Sequence, residues 1–247
     1  MFDHSVRIDT NCPLSLSSLK DTYGITNIET DDPLFGTALS ELEPDRVEDI
    51  RELLIDSMKK IAVHTVRMDL NDYDAYVRAF RNAARLGIEN IKICLCTFKG
   101  ESFEENKDSI ISSLEKIRTA ARAFNINILF EPKAKYSFFT NEVYAALRCD
   151  NTGIILNPME YVLAGKGAFL GHLYKYKFKD DIRVIRINDM KLDGTPVLPE
   201  MGNGEIKECI SAMLARSYDG YFSFRSYSDS IALEDVIACF KKMIKEM

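Results

Sequence analysis

Two periodicities alternate along this chain. Short apolar runs of strand length recur eight times, at "HSVRIDTN", "TNIET", "IAVHTVRM", "NIKICLCT", "NILFEPK", "TGIILNP", "IRVIRIND" and "GYFSFRS". Helical spacing lies between most of them, clearest in "PDRVEDIRELLIDSMKK", "DYDAYVRAFRNAARLG", "SFEENKDSIISSLEKIRTAARAF" and "EDVIACFKKMIKEM". About eight strand–helix units in 247 residues is the count of one (β/α)8 TIM barrel. No linker, low-complexity tract or short repeat interrupts the pattern, so residues 1–247 are expected to form a single domain. Gly87 stands where a helix should close and Gly220 where the last strand should open. Ser102 with Glu105, and Thr140, read as helix starts. A doubly wound open sheet is the competing architecture, but no GxGxxG follows the first strand.

Within the strands, one parity is apolar and the other is polar. Val6 and Ile8, Ile91 with Ile93 and Leu95, Ile128 with Phe130, Ile154 with Leu156, and Phe222 with Phe224 form the apolar set, expected to face helices. The opposite parity carries Arg7, Asp9 and Asn11, then Asn27 and Glu29, Thr65 and Arg67, and Glu131 after Leu129. It continues with Asn157, with Arg186 and Asn188 after Val184, and with Ser223 and Arg225. In a barrel these residues point inward. The later ones sit at the C-terminal mouth, where barrel enzymes keep their sites. In an open sheet the same residues would form a wet face.

Composition narrows the function classes. Hydrophobic residues make up 46% and charged residues 28%, the balance of a globular protein with a core. A formal net charge of −6 offers no general attraction for a phosphate backbone, so nucleic acid is not an expected partner. No apolar run reaches the roughly 20 residues of a membrane helix, and the start has no signal-peptide layout. Six cysteines without a CxxC pair suit reduced core thiols, and cytoplasmic localisation is the expectation. HExxH, GxSxG and P-loop spacings are absent. His64 falls on the apolar parity of its strand, where a packed, hydrogen-bonded ring is expected rather than a base.

From Glu131 to Arg225 the chain resembles the sugar phosphate isomerase/epimerase family with the xylose isomerase-like TIM barrel. "ILFEP" is similar to the family's strand ending in Glu, and "ILNPMEYVLAG" to its "LDTGH…LAG". "RVIRIND" resembles "VHVHLKD", "LPEMGNGEI" resembles "PLGEGDID", and "GYFSFR" resembles "GPLVLE". The resemblance implies a divalent cation held by Glu, Asp, His and Glu from successive strand ends, a nearby His, and carboxylates that move a proton on a sugar. It carries Glu131 over unchanged at the first ligand position, where without a metal it would be the surviving catalytic acid/base. Asn157 stands at the Asp position, Glu160 at the nearby His, Arg186 at the ligand His and Arg225 at the last Glu.

A guanidinium stays protonated and has no lone pair to give a cation. Asn157 is a weak ligand for a hard cation without carboxylate company. No metal and no other cofactor is therefore expected. Arg186 and Arg225 instead bring positive charge toward Glu131. Two consequences stay open: the arginines pair with Glu131 and Glu160 and fill the old pocket, or they form a fork for a carboxylate or phosphate oxygen. Arg67 is a further candidate for that fork, and Asn157, Glu160 and Asn188 for ligand contacts. So is Lys191, in the loop-like "MKLDGTPVLPEMGNGEI", where Gly202 and Gly204 suit positive φ or close ligand approach. The expected partner is a small-molecule anionic sugar or sugar phosphate. A catalytically inactive ligand-binding or scaffold barrel is the alternative. A nuclease of the same superfold is disfavoured by the acidity and the missing ligands.

Overall fold

The computed structural model describes residues 3–7, 24–94, 103–134, 143–169, 171 and 178–247. The expected helix starts at Ser102 and Thr140, together with Asp9, Asn11 and His172, lie outside the described residues.

Every one of the eight predicted segments contains a strand. They are β1 (Asp3–Arg7), β2 (Asn27–Asp31), β3 (Lys60–Val66), β4 (Asn90–Ile93), β5 (Asn127–Phe130), β6 (Thr152–Leu156), β7 (Ile182–Arg186) and, after a short hairpin, β10 (Tyr221–Phe224). The hairpin is β8 (Asp189–Met190) with β9 (Pro196–Val197), antiparallel. The helices are α1 (Pro44–Asp56), α2 (Tyr73–Arg85), α3 (Phe103–Ala123), α4 (Pro158–Leu163), α5 (Ile206–Leu214) and α6 (Leu233–Lys245). Two compact units result: Ser5–Phe130 with Glu142–Gly153, and Met1–His4 with Glu131–Asn141 and Ile154–Met247.

In the unit built on Ser5–Phe130, the strands pair in parallel in the order β1-β2-β3-β4-β5. Thr30, His64, Ile91 and Ile128 share one face by register, and Asp31, Thr65, Lys92 and Leu129 share the other. Gly87 ends α2 as expected. Its φ is +70°, and its N–H donates to the Ala84 carbonyl at 3.2 Å, the left-handed turn that glycine makes without strain. Buried Asn82 ties α2 to the turn before α1, donating to the carbonyls of Leu39 at 2.9 Å and Leu42 at 3.0 Å. His64 is fully buried between Thr30 Oγ1 at 2.7 Å and Asp32 Oδ1 at 3.0 Å. Both ring nitrogens are engaged, so the ring is a cross-strand tie.

In the other unit, β6, β7 and β10 pair in parallel. The register sets Tyr221 beside Val184 and Ser223 beside Arg186. Leu156 pairs with Ile185, so Asn157 continues beside Arg186. Helix α6 covers the apolar face: Phe240 meets Phe222 at 5.0 Å and Phe224 at 5.2 Å between ring centroids. All three rings are buried, and tilted or edge-on contacts at this spacing add to their area burial. Among the described residues no helix is long and apolar enough to cross a membrane. Phe240→Ala is expected to destabilise the protein by about 3–5 kcal/mol in denaturant melts, the cost typical of emptying an aromatic site. A loss under about 1 kcal/mol would show that α6 does not depend on this contact.

Candidate functional site

The polar ends of β6, β7 and β10 gather charge around Glu131. This residue follows β5 directly and is 8% exposed. Its Oε1 accepts a hydrogen bond from Asn157 Nδ2 at 2.8 Å and stands 3.5 Å from Arg186 Nε and 3.8 Å from Lys133 Nζ. Arg186 is 1% exposed, among the largest fully buried side chains in the protein. Its Nη1 donates to Ser223 Oγ at 2.6 Å across the strand pair that the register aligns. A buried guanidinium costs several kcal/mol in lost hydration and is tolerated only with a carboxylate and satisfied N–H groups. Glu131 supplies the carboxylate, and Ser223 accepts from one of the N–H groups.

Glu160 joins the same cluster from the first turn of α4. Its Oε1 accepts from Lys133 Nζ at 2.8 Å, and its Oε2 accepts from the Ala134 backbone N–H at 2.7 Å. Asn157 occupies the N-cap position of α4, yet its side chain makes no capping bond, because Nδ2 is drawn to Glu131. Asn157 Oδ1 is buried without a hydrogen-bond partner among the described residues. Asn188, 1% exposed and two residues past Arg186 on the same parity, has neither amide atom partnered there.

Glu131, Asn157, Glu160 and Arg186 thus come together as a bonded group. Arg225 is half-buried and continues the parity of Ser223, one pleat beyond it. Lys191 is exposed at the turn between β8 and β9, where its N–H donates to the Thr195 carbonyl at 2.9 Å. Arg67 is exposed just after β3, within the other compact unit. Among the described residues, no three His, Cys, Asp or Glu side chains are grouped as metal ligands.

Three neighbours escaped sequence reasoning. Lys133 shares the parity of Glu131 two residues on, which was the available signal. Ser223 needed the register that sets it opposite Arg186. The third is Asp189, 1% exposed, whose carboxylate is held by backbone alone. Met190 N–H and Gly204 N–H donate to Oδ1 at 2.7 and 2.8 Å, and Gly202 N–H donates to Oδ2 at 2.9 Å. This explains the two glycines. Neither has a left-handed φ, and it is Asp189 that they approach closely. A Cβ at Gly202 would collide with the Asp189 carboxylate and the Met190 carbonyl oxygen, and one at Gly204 would come within 2.8 Å of Oδ1. Asn203 also serves the loop itself, its Oδ1 accepting from Leu192 N–H at 3.1 Å.

Desolvation raises the Asp189 pKa above the usual aspartate range, outweighing the N–H donors that favour the charged form. A folded-state pKa above the unfolded one means that the native protein binds more protons between the two values. The stabilisation from this group is therefore full below the ordinary aspartate pKa and is lost as pH rises through the raised one. Wild-type stability relative to Asp189→Asn is expected to fall with rising pH across that window in denaturant melts. A rise across it would contradict the desolvated environment.

Comparison with known proteins bears on the fold. A family model described as "Xylose isomerase-like TIM barrel" matches residues 19–243. A xylose isomerase domain protein from Planctomyces limnophilus superposes with a TM-score of 0.72 at 14% identity, covering 99% of this chain and 94% of that one. A sugar phosphate isomerase/epimerase from Parabacteroides distasonis gives 0.72 at 11% identity, with 96% and 93% coverage. A xylose isomerase-like TIM barrel protein from Mycobacterium smegmatis, in complex with magnesium, gives 0.72 at 13%, with 99% and 97% coverage. No curated protein matches the sequence.

Proposed function

The chain belongs to the xylose isomerase-like TIM barrel family, and from its resemblance to the sugar phosphate isomerases and epimerases we propose that it binds an anionic sugar or sugar acid where that resemblance implies a divalent metal. On this reading residues 1–247 form one (β/α)8 barrel working in the cytoplasm, with the site at the C-terminal mouth. Arg225 completes the anion fork there, and Lys191 reaches the ligand from its loop.

One observation carries the proposal: buried Arg186, at a position where a ligand His is expected, stands 3.5 Å from the one carboxylate carried over unchanged. The residues present do not fit a divalent ion. A guanidinium offers no lone pair, and its charge opposes a cation at Glu131. The same charge favours an anion. Arg186 and Lys133 face Glu131 and Glu160, while the Asp189 carboxylate is held by backbone N–H groups. Glu131 is the acid/base available to such a ligand. A binding protein without turnover is the second reading, favoured because Glu131 Oε1 already accepts from Asn157 and faces two cations. Proton transfer would have to displace those contacts.

The purified protein is expected to hold no stoichiometric Mn²⁺, Mg²⁺ or Zn²⁺ by elemental analysis. One tightly bound ion per chain, lost in Glu131→Gln, would overturn the assignment. Phosphate or a sugar acid should raise the melting temperature more than a neutral sugar, by the equivalent of about 2.7 kcal/mol at a hundredfold excess over Kd. Equal shifts for neutral and anionic sugars would count against the fork.

Glu131→Gln separates a packed salt bridge from a ligand-ready one. If the cluster only refills a closed pocket, the variant strands buried cations and costs roughly 3–5 kcal/mol. That loss with anion binding unchanged would end the binding proposal. Because the pair is buried, a loss of that size is expected in either case, and a changed anion affinity beside it is the result that supports the binding site.

A further inference from the structure

Lys133, one of the two cations that face Glu131, is already held by a second carboxylate of the chain itself. Building on the anionic-ligand proposal above, we infer that Glu160 is a built-in competitor: its carboxylate occupies the seat that a ligand's anionic group takes, and the ligand must displace it. Both oxygens of Glu160 are engaged, and both reach the segment that follows β5. Oε1 accepts from Lys133 Nζ at 2.8 Å, and Oε2 accepts from the Ala134 N–H at 2.7 Å. An ammonium and a backbone N–H that grip two oxygens of one carboxylate suit two oxygens of a free carboxylate or phosphate equally well.

Helix α4 does not call for this contact. With Asn157 at the N-cap, Glu160 stands at the third position, where a glutamate ordinarily turns back to the N-cap N–H. That bond is not made among the described residues, and the side chain reaches across to another segment instead. This ion pair is also the one that can open. Arg186 and Glu131 have side-chain exposures of 2% and 4%, whereas Lys133 and Glu160 stand at 36% and 17%. Parting a buried pair leaves charge stranded in the interior, but groups that touch water are rehydrated as they separate. Displacement therefore falls on the Lys133–Glu160 pair, while Arg186 and Glu131 stay together. As long as Glu160 is seated, the charge of Lys133 is neutralised at short range. The apparent affinity for an anion is then reduced to the fraction of molecules in which the seat is open. A tethered carboxylate is a strong competitor, because its effective concentration is set by the fold and not by the solution.

The test is calorimetric titration of inorganic phosphate, at one fixed ionic strength, into the wild-type protein, Glu160→Gln and Glu160→Asp. Glu160→Gln keeps the shape of the side chain but has no charge to hold the ammonium, and phosphate is expected to bind it about tenfold more tightly than wild type. Glu160→Asp keeps the charge and is one carbon too short to hold Lys133 and Ala134 together, so a gain there does not come from removing a negative charge. A gain of about threefold or more is expected in that variant. Adding Lys133→Met to either variant removes the seat and should abolish the gain. Equal phosphate affinity in all three proteins would overturn the inference and leave the anionic-ligand proposal standing. A gain confined to Glu160→Gln, or one that survives Lys133→Met, would also overturn it, since general charge repulsion and not occupancy would then be the cause. Either Glu160 variant decides the matter if the other fails to fold. Should phosphate bind none of the proteins, the inference falls, and D-gluconate titrated into the wild type decides the wider proposal: binding keeps it, and no binding removes it.

Discussion

A guanidinium that cannot shed its proton, buried to 1% exposure, sets the terms for everything around it. Arg186 needs an anion within reach and acceptors for its N–H groups, because an unpaired charge in the interior is far costlier than any packing gain. Glu131 supplies the charge at 3.5 Å and Ser223 an acceptor at 2.6 Å. Glu131 is in turn held by Asn157, and Lys133 links it to Glu160 at the start of α4. Four segments of one compact unit are thereby committed to a single ionic group. The parallel register of β7 with β10 is what makes this possible, since slipping by one residue would turn Ser223 to the opposite face.

The same unit shows a second way to bury a carboxylate. Among the described residues Asp189 pairs with no cation and relies on backbone N–H donors, Gly202 and Gly204 among them from the loop that returns before α5. Backbone donors fix the loop without adding charge, and they require the chain to pass so near that a Cβ at Gly202 has no room. Neighbouring residues thus do different work. Asp189 shapes the loop, and Asn188 keeps both amide atoms open on the face that Arg186 shares.

The other unit pairs several of its polar residues with one another. Ser5 donates to Glu29 at 2.9 Å, and His64 bridges Thr30 and Asp32. Asp32 Oδ1 also accepts from Leu39 N–H at 2.9 Å, which fastens the chain ahead of α1. His64, the ring best placed in sequence to tempt a catalytic reading, is spent on holding two strands together.

Much of this was legible in the sequence because strand and helix periods are local. Eight apolar runs located eight strands, Gly87 marked a helix end, and strand parity put Glu131, Asn157, Arg186 and Asn188 on one polar series. The replacement of expected ligands by arginines was equally visible, since it needs only residue identity and the chemistry of a guanidinium. Partners were not legible. That Arg186 bonds Ser223, that Lys133 bridges two glutamates, and that Gly202 and Gly204 yield space to Asp189 depend on contacts between segments far apart in the chain. Periodicity states which way a side chain points. Only the register of the folded strands decides what it meets there, because the balance of lost hydration against a new partner is struck in three dimensions.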